Sequence, residues 1–446
     1  MTAVRATEAL GRWEEYRWTN AFVHVDPDAV RRESAAVRDG HLRDDLFSVK
    51  DLFAVSGVPS RAGSLALEGY RPRVDATVVR RVRRVGARFF GKSNCAEFGF
   101  GTDTETRLGG RVRHPWRDDL SPGGSSGGDA VAVATGVVDF ALAGDYGGSI
   151  RWPAQALGIY GLRPGVGATP GDGRIGGLGA DFDDPLGLSR APWQLSAELE
   201  VIGVMARTPR KIGHVMQAIT GPPTKSQEPQ GRILVTDGTE IGPVREGVRK
   251  ALAAVEARAR DDGLTTDDAE GLFIGALEAY ATLRARLDDH SDVRRIVRGR
   301  EDLLCSQTRA VLDNAPPEPR VDTVVRDAWA AAMRIRHRIH RSLAEYDAVI
   351  VPCAPSGAVG FGEPVQVGMT TLTGHELMGH CRAVSLTGLP SLVIPTGCDD
   401  AGRPVSVQLV GAMGSELRLC ALAERLAAVP HPGPATIGPN SYERTP

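Results

Sequence analysis

Cysteine is scarce in this chain. Its six cysteines stand at positions 95, 305, 353, 381, 398 and 420 of 446 residues, and none forms a CxxC pair. Such spacing gives no disulfide framework and no thiolate zinc site, and it leads us to expect a reduced, cytoplasmic protein. An excess of one charge is also missing. The formal net charge is −2, so nothing electrostatic draws the chain to nucleic acid or to an acidic membrane. No apolar run approaches the length of a membrane span, and the opening residues MTAVRATEALGRWEEYRW lack the apolar core of a signal peptide. Internal repeats and low-complexity tails are absent as well.

What is present is ordinary globular composition, 42% hydrophobic and 24% charged, in a chain long enough to bury a large core. Residues 1–45 read as helix and loop. From Phe47 onward, short β-like runs alternate with helical stretches. Phe47–Val49 is apolar, and Val78, Val79, Val82 and Val85 within Asp75–Val85 have helical spacing. Arg88–Gly91 reads as a strand, Ala130–Gly136 as a buried helix and Val138–Ala143 as a buried strand. Residues 168–200 are rich in Gly, Asp and Pro and read as a long surface excursion. Residues 244–345 read as mostly helical, broken at Pro316–Pro319, and Tyr346–Pro352, Ser391–Pro395 and Val405–Val410 as strands before a closing helix, Glu416–Ala428. Strand and helix alternating at both ends of the chain predict an α/β fold, a sheet flanked by helices, in one domain with a variable insert.

Two segments carry chemistry. One is Ser121-Pro-Gly-Gly-Ser125-Ser126-Gly-Gly128; the other is Gly144-Asp-Tyr-Gly147-Gly148-Ser149-Ile-Arg151, with Ser149 following Ser125 by 24 residues. A Gly/Ser cluster alone is as well explained by a flexible loop. Here a helix follows the first cluster and a strand precedes the second. Paired glycines in that setting mark backbone that turns sharply or approaches a ligand, and the successive N–H groups of Tyr146, Gly147, Gly148 and Ser149 can converge on a developing oxyanion.

These segments resemble the amidase signature family. Ser48-Val-Lys50-Asp51, with Val55-Ser-Gly57 and Ala62-Gly-Ser64, is similar to that family's lysine segment. Asp75–Thr77 through Gly91–Asn94, Gly161–Pro164 as a turn, Gly203–Thr208, Tyr346–Pro352 and Gly388–Pro395 follow in the family's order. The resemblance implies a mixed central β-sheet covered by helices on both sides. It implies a single domain over 1–446, made of an N-terminal helical segment (1–45), a signature core (46–208), a helical insert (209–345) and a C-terminal part of the core (346–446). It implies Ser149 as nucleophile, Ser125 as the relaying serine behind a cis peptide, and Lys50 as base. Lysine can act so only when neutral, which needs burial without a carboxylate partner. Gly99 and Phe100, in the Asn94–Gly101 segment, and Gly124 are implied at the substrate pocket. Asp145 and Arg151 are expected to pair structurally. Tyr146 and Asp129 depart from the small residue and the serine frequent in relatives.

The implied reaction is hydrolysis of a carboxylic amide through an acyl-enzyme, without metal or organic cofactor, on a small-molecule amide and in a homodimer. Release of ammonia from glutamine to a partner and acyl transfer to an amine are the alternatives within this chemistry. From another class, Gly86–Ser93 matches GxxxxGK[ST], but a helix precedes it where a phosphate loop needs a strand. His375 and His380 are spaced i and i+5, which takes them off a shared helix face for zinc. Cys95 has no neighbouring histidine and is expected to be a buried apolar residue.

Overall fold

Side-chain alternation sets the layers of this fold. In the computed structural model, which describes residues 2–175, 194–222 and 229–426, the strands in chain order are β1 (Phe22–Val25), β2 (Leu46–Lys50), β3 (Arg88–Ser93), β4 (Glu105–Thr106), β5 (Gly110–Arg111), β6 (Phe140–Asp145), β7 (Tyr160–Arg163), β8 (Val201–Ala206), β9 (Arg232–Val235), β10 (Thr265–Asp268), β11 (Ala348–Pro352), β12 (Val365–Val367), β13 (Thr370–Leu372), β14 (Ser391–Cys398) and β15 (Pro404–Val410). Among the described residues, eleven of them form one sheet in the order β1-β3-β2-β6-β8-β7-β14-β15-β11-β9-β10. The sheet is mixed. β2 runs parallel to β3 and β6, and β9 parallel to β10 and β11, whereas β8, β7, β14 and β15 pair with their neighbours antiparallel.

Both faces of this sheet are buried, which explains the near-continuous apolar strands. Phe47, Val49, Phe140, Leu142, Ile350, Leu392 and Leu409 face one layer. That layer is built on the helices Thr77–Arg84, Pro209–Thr220, Glu246–Asp261 and Glu416–Leu426. Leu46, Phe90, Ala141, Ala143 and Val393 face the opposite layer, where Gly127–Ala134 and Arg151–Leu157 pack. The helices Ala276–Leu287, Thr323–Ser342 and Gly379–Thr387 extend that second layer. Neighbouring residues along a strand point to opposite faces, and the rings of Phe47 and Phe140 stack across β2 and β6 at 5.3 Å.

Several elements differ from the sequence expectation. Phe22–Val25, within the segment read as helix and loop, is an edge strand antiparallel to β3. The middle of the chain is not helical throughout: β9 and β10 extend the sheet to its far rim. Gly161–Pro164, expected as a turn, enters the sheet as β7 and ends at the proline, which has no N–H for a ladder. The 168–200 excursion lies partly outside the described residues. Its described flanks are anchored, with Ile175 N–H bonded to Leu52 O at 2.9 Å and Leu195 and Leu199 buried. No helix among the described residues is long and apolar enough to cross a membrane.

Candidate active site

β2 and β6 run side by side and parallel, so their carboxyl ends open on the same edge, where open α/β sheets place ligands. Lys50 ends β2. Alternation aims Leu46, Ser48 and Lys50 at the helix Gly127–Ala134, whose small residues leave room beneath it. Lys50 is 1% exposed, and its Nζ lies 2.7 Å from Ser125 Oγ and 2.7 Å from Ser126 Oγ. Burial holds its pKa below the ordinary lysine value, against the smaller upward pull of nearby acidic groups.

One of those acids is built into the helix that Lys50 faces. Asp129 is wholly buried and accepts hydrogen bonds from the Ser93 hydroxyl and, at 3.5 Å, from Ser48 Oγ. Burial raises its pKa to about 7. It makes no hydrogen bond or ion pair to Lys50, so among the described residues the amine meets hydroxyls only.

The Gly124–Ser125 peptide is cis. Ser125 O accepts the Ala96 N–H at 3.0 Å, which ties the Asn94–Gly101 segment to the serine loop. Gly99 is left-handed (φ 82°), and a Cβ there would stand 3.7 Å from Ser125 Oγ.

The Tyr146–Ser149 loop leaves β6 and runs into the helix Arg151–Leu157. Asp145 organises it from behind. Its carboxylate accepts the Gly148 N–H at 2.7 Å and the Ile150 N–H at 3.2 Å, and it receives the Arg151 guanidinium at 2.9 and 3.0 Å. Burial pushes this carboxyl up, but Arg151 and Arg163 win and hold it at about 2. Asp145 and Arg151 are thus the structural pair the sequence leads one to expect. Because Gly148 spends its N–H on Asp145, it is not available to a ligand. No acceptor among the described residues takes the N–H of Gly147 or Ser149.

Ser149 and Ser125 open into one cavity. Phe98, Gly99, Phe100, Tyr146 and Gly147 form its near wall, and Arg174, Ile175, Ser196 and Glu200 a side wall. Gly124 is not in that lining; it is packed against the backbone of Asp103. The Tyr146 hydroxyl donates to Asp288 Oδ2 at 2.7 Å, and its ring lies 5.5 Å from that of Tyr280.

Comparison with known proteins agrees with this architecture. The Amidase family model matches residues 6–256 and 274–420. The chain is 30% identical to a glutamyl-tRNA(Gln) amidotransferase subunit from Cereibacter sphaeroides over 90% of its own length and 88% of that protein's. It is likewise 30% identical to the corresponding subunit from Chloroflexus aggregans, over 94% and 91%. The chain belongs to the Amidase family. It is an enzyme that hydrolyses carbon–nitrogen amide bonds. A crystal structure described as an amidase superposes with a TM-score of 0.82 at 27% identity, covering 96% of this chain and 95% of that one. The peptide amidase of Stenotrophomonas maltophilia shares the fold, with a TM-score of 0.74 at 24% identity over 96% and 95%.

The remaining motifs of this amidase fall into structural places. Gly86–Ser93 is no phosphate loop. Arg88–Ser93 is strand β3, and Lys92 Nζ is buried against Phe53 O, Ser60 Oγ at 3.0 Å and Asp51 at 3.7 Å. His380 lies buried in a helix with its Nε2 3.2 Å from Gly238 O, while His375 sits in the preceding 3₁₀ turn and faces the cavity. Cys95 is buried, and burial raises its thiol pKa.

Sequence reasoning did not single out the second hydroxyl on Lys50, Ser126, although it stands inside the same motif. It also missed the far wall of the cavity, made of Tyr280, Arg284, His375 and Arg382. These come from elements more than a hundred residues downstream, and no local spacing announces them.

Proposed function

We propose that this amidase forms an acyl-enzyme on Ser149, with Ser125 as proton relay and Lys50 as base. The observation that carries the reading is the contact of an enclosed lysine, without a carboxylate partner, at 2.7 Å from Ser125 Oγ, in the cavity that Ser149 also lines. A neutral amine offers one lone pair and two N–H donors. The lone pair takes the Ser125 proton while an N–H donates to Ser126 Oγ. Ser125 in turn takes the Ser149 proton as Ser149 Oγ attacks the amide carbonyl.

The tetrahedral oxygen is received by backbone N–H groups of the Tyr146–Ser149 loop. Tyr146, Gly147 and Ser149 are the donors without another acceptor among the described residues, and Gly148 drops out of the set. Collapse of the intermediate breaks the C–N bond. The leaving amine or ammonia takes back the proton that Lys50 held, through Ser125. Water then repeats the cycle on the ester, giving the acid and restoring Ser149. Gly99 and Phe100 border the acyl group, and Gly124 acts from behind as part of the loop that aims Ser125.

The same proposal places the enzyme in the cytoplasm, with its six cysteines unbridged, acting on a small-molecule amide as a homodimer, which sedimentation analysis reads. The names of the curated relatives favour a second reading, ammonia release from glutamine to a partner, so glutamine belongs in the substrate panel.

The test is Ser149→Ala. Amide turnover should fall to background while the circular dichroism spectrum is kept, and a fluorophosphonate should label the wild type at Ser149. Full activity in the variant, or labelling at a different serine, would refute the assignment.

A further inference from the structure

The cavity wall that packs against the nucleophile loop carries two guanidinium groups that no described residue engages by a hydrogen bond or ion pair. Arg284 lies one helical turn after Tyr280 on the Ala276–Leu287 helix, and Arg382 lies on the Gly379–Thr387 helix. Both press close to the site. A Cβ on Gly147 would meet Tyr280 Oη at 2.7 Å and Arg382 Cγ at 3.3 Å, and the Arg382 guanidinium stands 5.6 Å over the Tyr280 ring.

Among the described residues, neither the Arg284 nor the Arg382 guanidinium makes a hydrogen bond or an ion pair, and Arg382 Nε is buried without a partner. The carboxylates nearby are engaged elsewhere. Asp288 accepts from Tyr146 Oη at 2.7 Å and from Ser196 N at 3.1 Å. Glu200 pairs with Arg174 at 2.7 Å, and Asp292 accepts from Gln194 Nε2 at 3.3 Å. His375 adds no charge at neutral pH. Burial, reinforced by Arg382 and Arg284, lowers its pKa to about 3. For Arg382, burial and the Arg284 charge both act against the ionised form.

Among the carboxylates, Asp288 alone favours the charged form of Arg284 from nearby. The two partly buried, mutually repelling cations thus share one carboxylate neighbour and keep an excess positive charge that costs free energy unless an anion completes the site. Their position says where that anion would sit. Arg284, His290, His375 and Arg382 line the cavity at Ser149 and also a neighbouring cavity of about 410 Å³. The pair therefore flanks the neck between an outer vestibule and the nucleophile.

We propose that Arg284 and Arg382 bind a carboxylate of the substrate, so that this amidase acts on anionic amides in which a carboxylate lies a few bonds from the scissile carbonyl, as in the half-amide of a short dicarboxylic acid. A planar guanidinium matches a carboxylate with paired hydrogen bonds. The neck first draws the anion in and then fixes the distance from carboxylate to carbonyl, which orients the amide on Ser149. The inference rests on the acyl-enzyme reading of Ser149 for its chemistry, but the anion site itself does not require turnover.

Two measurements test it. The first compares kcat/KM for glutaramate and succinamate with the neutral valeramide and butyramide. Wild type should prefer the charged amides by about 100-fold, the equivalent of one strong hydrogen bond to a charged group. Arg284→Gln and Arg382→Gln should each lower that ratio by about tenfold or more, and Arg382→Lys should recover part of it. The second is calorimetric binding of glutarate to the whole protein, with affinity falling by about tenfold in each glutamine variant.

Equal use of neutral and charged amides by wild type, or a preference that survives both glutamine substitutions, would overturn the proposal. If Ser149 is labelled and neutral amides turn over without charge preference, the anion site alone fails. If Ser149 is not labelled but glutarate binds and loses affinity in the variants, the nucleophile assignment fails and the anion site stands.

Discussion

At the scale of single residues, the mechanism turns on the protonation of one amine. Lys50 is enclosed, and its pKa is lowered by burial from the ordinary 10.5. The active form is the neutral one, so kcat/KM should rise with pH along a limb whose midpoint lies below that ordinary value. Lys50→Arg should be inactive across the whole profile, since a guanidinium stays charged and accepts no proton. A folded Lys50→Arg enzyme with near wild-type activity would show that this lysine is not the base. Ser126 enters the same argument. Its hydroxyl is as close to Nζ as that of Ser125, 2.7 Å in each case. Removing it frees the amine to turn away from the relay, and Ser126→Ala should lower kcat by about tenfold, the equivalent of one lost hydrogen bond. The triad residues are legible in the sequence because each stands in a short motif whose glycines and serines have few other uses. Ser126 is equally visible there, yet only distance distinguishes a second partner from a spacer.

At the scale of elements, the 3₁₀ turn Glu97–Gly99 couples backbone geometry to the relay serine. Gly99 has φ 82°, and a Cβ there would lie 3.3 Å from Leu52 Cδ1 and 3.7 Å from Ser125 Oγ. Gly57 offers an internal control, with φ 73° and nothing within 4 Å of its Cβ position. Each alanine substitution should cost about 1 kcal/mol from the left-handed backbone alone. Only Gly99→Ala should also lower kcat, because only it crowds Ser125; equal kcat in the two variants would deny the turn a part in aiming the serine. The elements that sequence reading recovered are the long or strongly patterned ones: Leu46–Lys50, Thr77–Arg84, Phe140–Asp145 and the β14–β15 hairpin. Those it missed are brief or polar. Phe22–Val25 and Arg232–Val235 span four residues each, and Thr265–Asp268 holds no apolar side chain, so sheet pairing rather than local pattern decides their form. The far wall of the cavity was hidden for a related reason. A helix such as Ala276–Leu287 reads as a solvated face, and only the packing of Tyr280 against Gly147 and the place of Arg284 in the cavity lining show otherwise.

At the scale of the whole molecule, buried histidines set the acid limit of stability. His114 is enclosed as a neutral ring. Its Nε2 lies 3.2 Å from Ala156 O while its Nδ1 accepts the Trp116 N–H at 3.3 Å, and burial lowers its pKa to about 4. His380, also buried, is lowered to about 4. For such groups the stabilising balance is complete above the ordinary value of 6.5, where the unfolded ring is neutral too. It is lost as pH falls from there toward 4, because the unfolded chain takes up protons that the folded one refuses. Each ring accounts for about 3 kcal/mol over that window. Thermal melting should therefore drop between about pH 6.5 and pH 4, and His114→Gln should flatten the slope; an unchanged slope would remove His114 from the account. The far rim of the sheet carries a different consequence. It ends in Thr265-Thr266-Asp267-Asp268, with Thr265 and Asp268 exposed. Asp267 is engaged by Arg232 and the Tyr346 hydroxyl, so a second copy attempting to add a strand there would bring its own Asp268 against this one. The rim thus repels its own likeness, and a sheet this wide is kept from growing into a filament by four polar residues at its border.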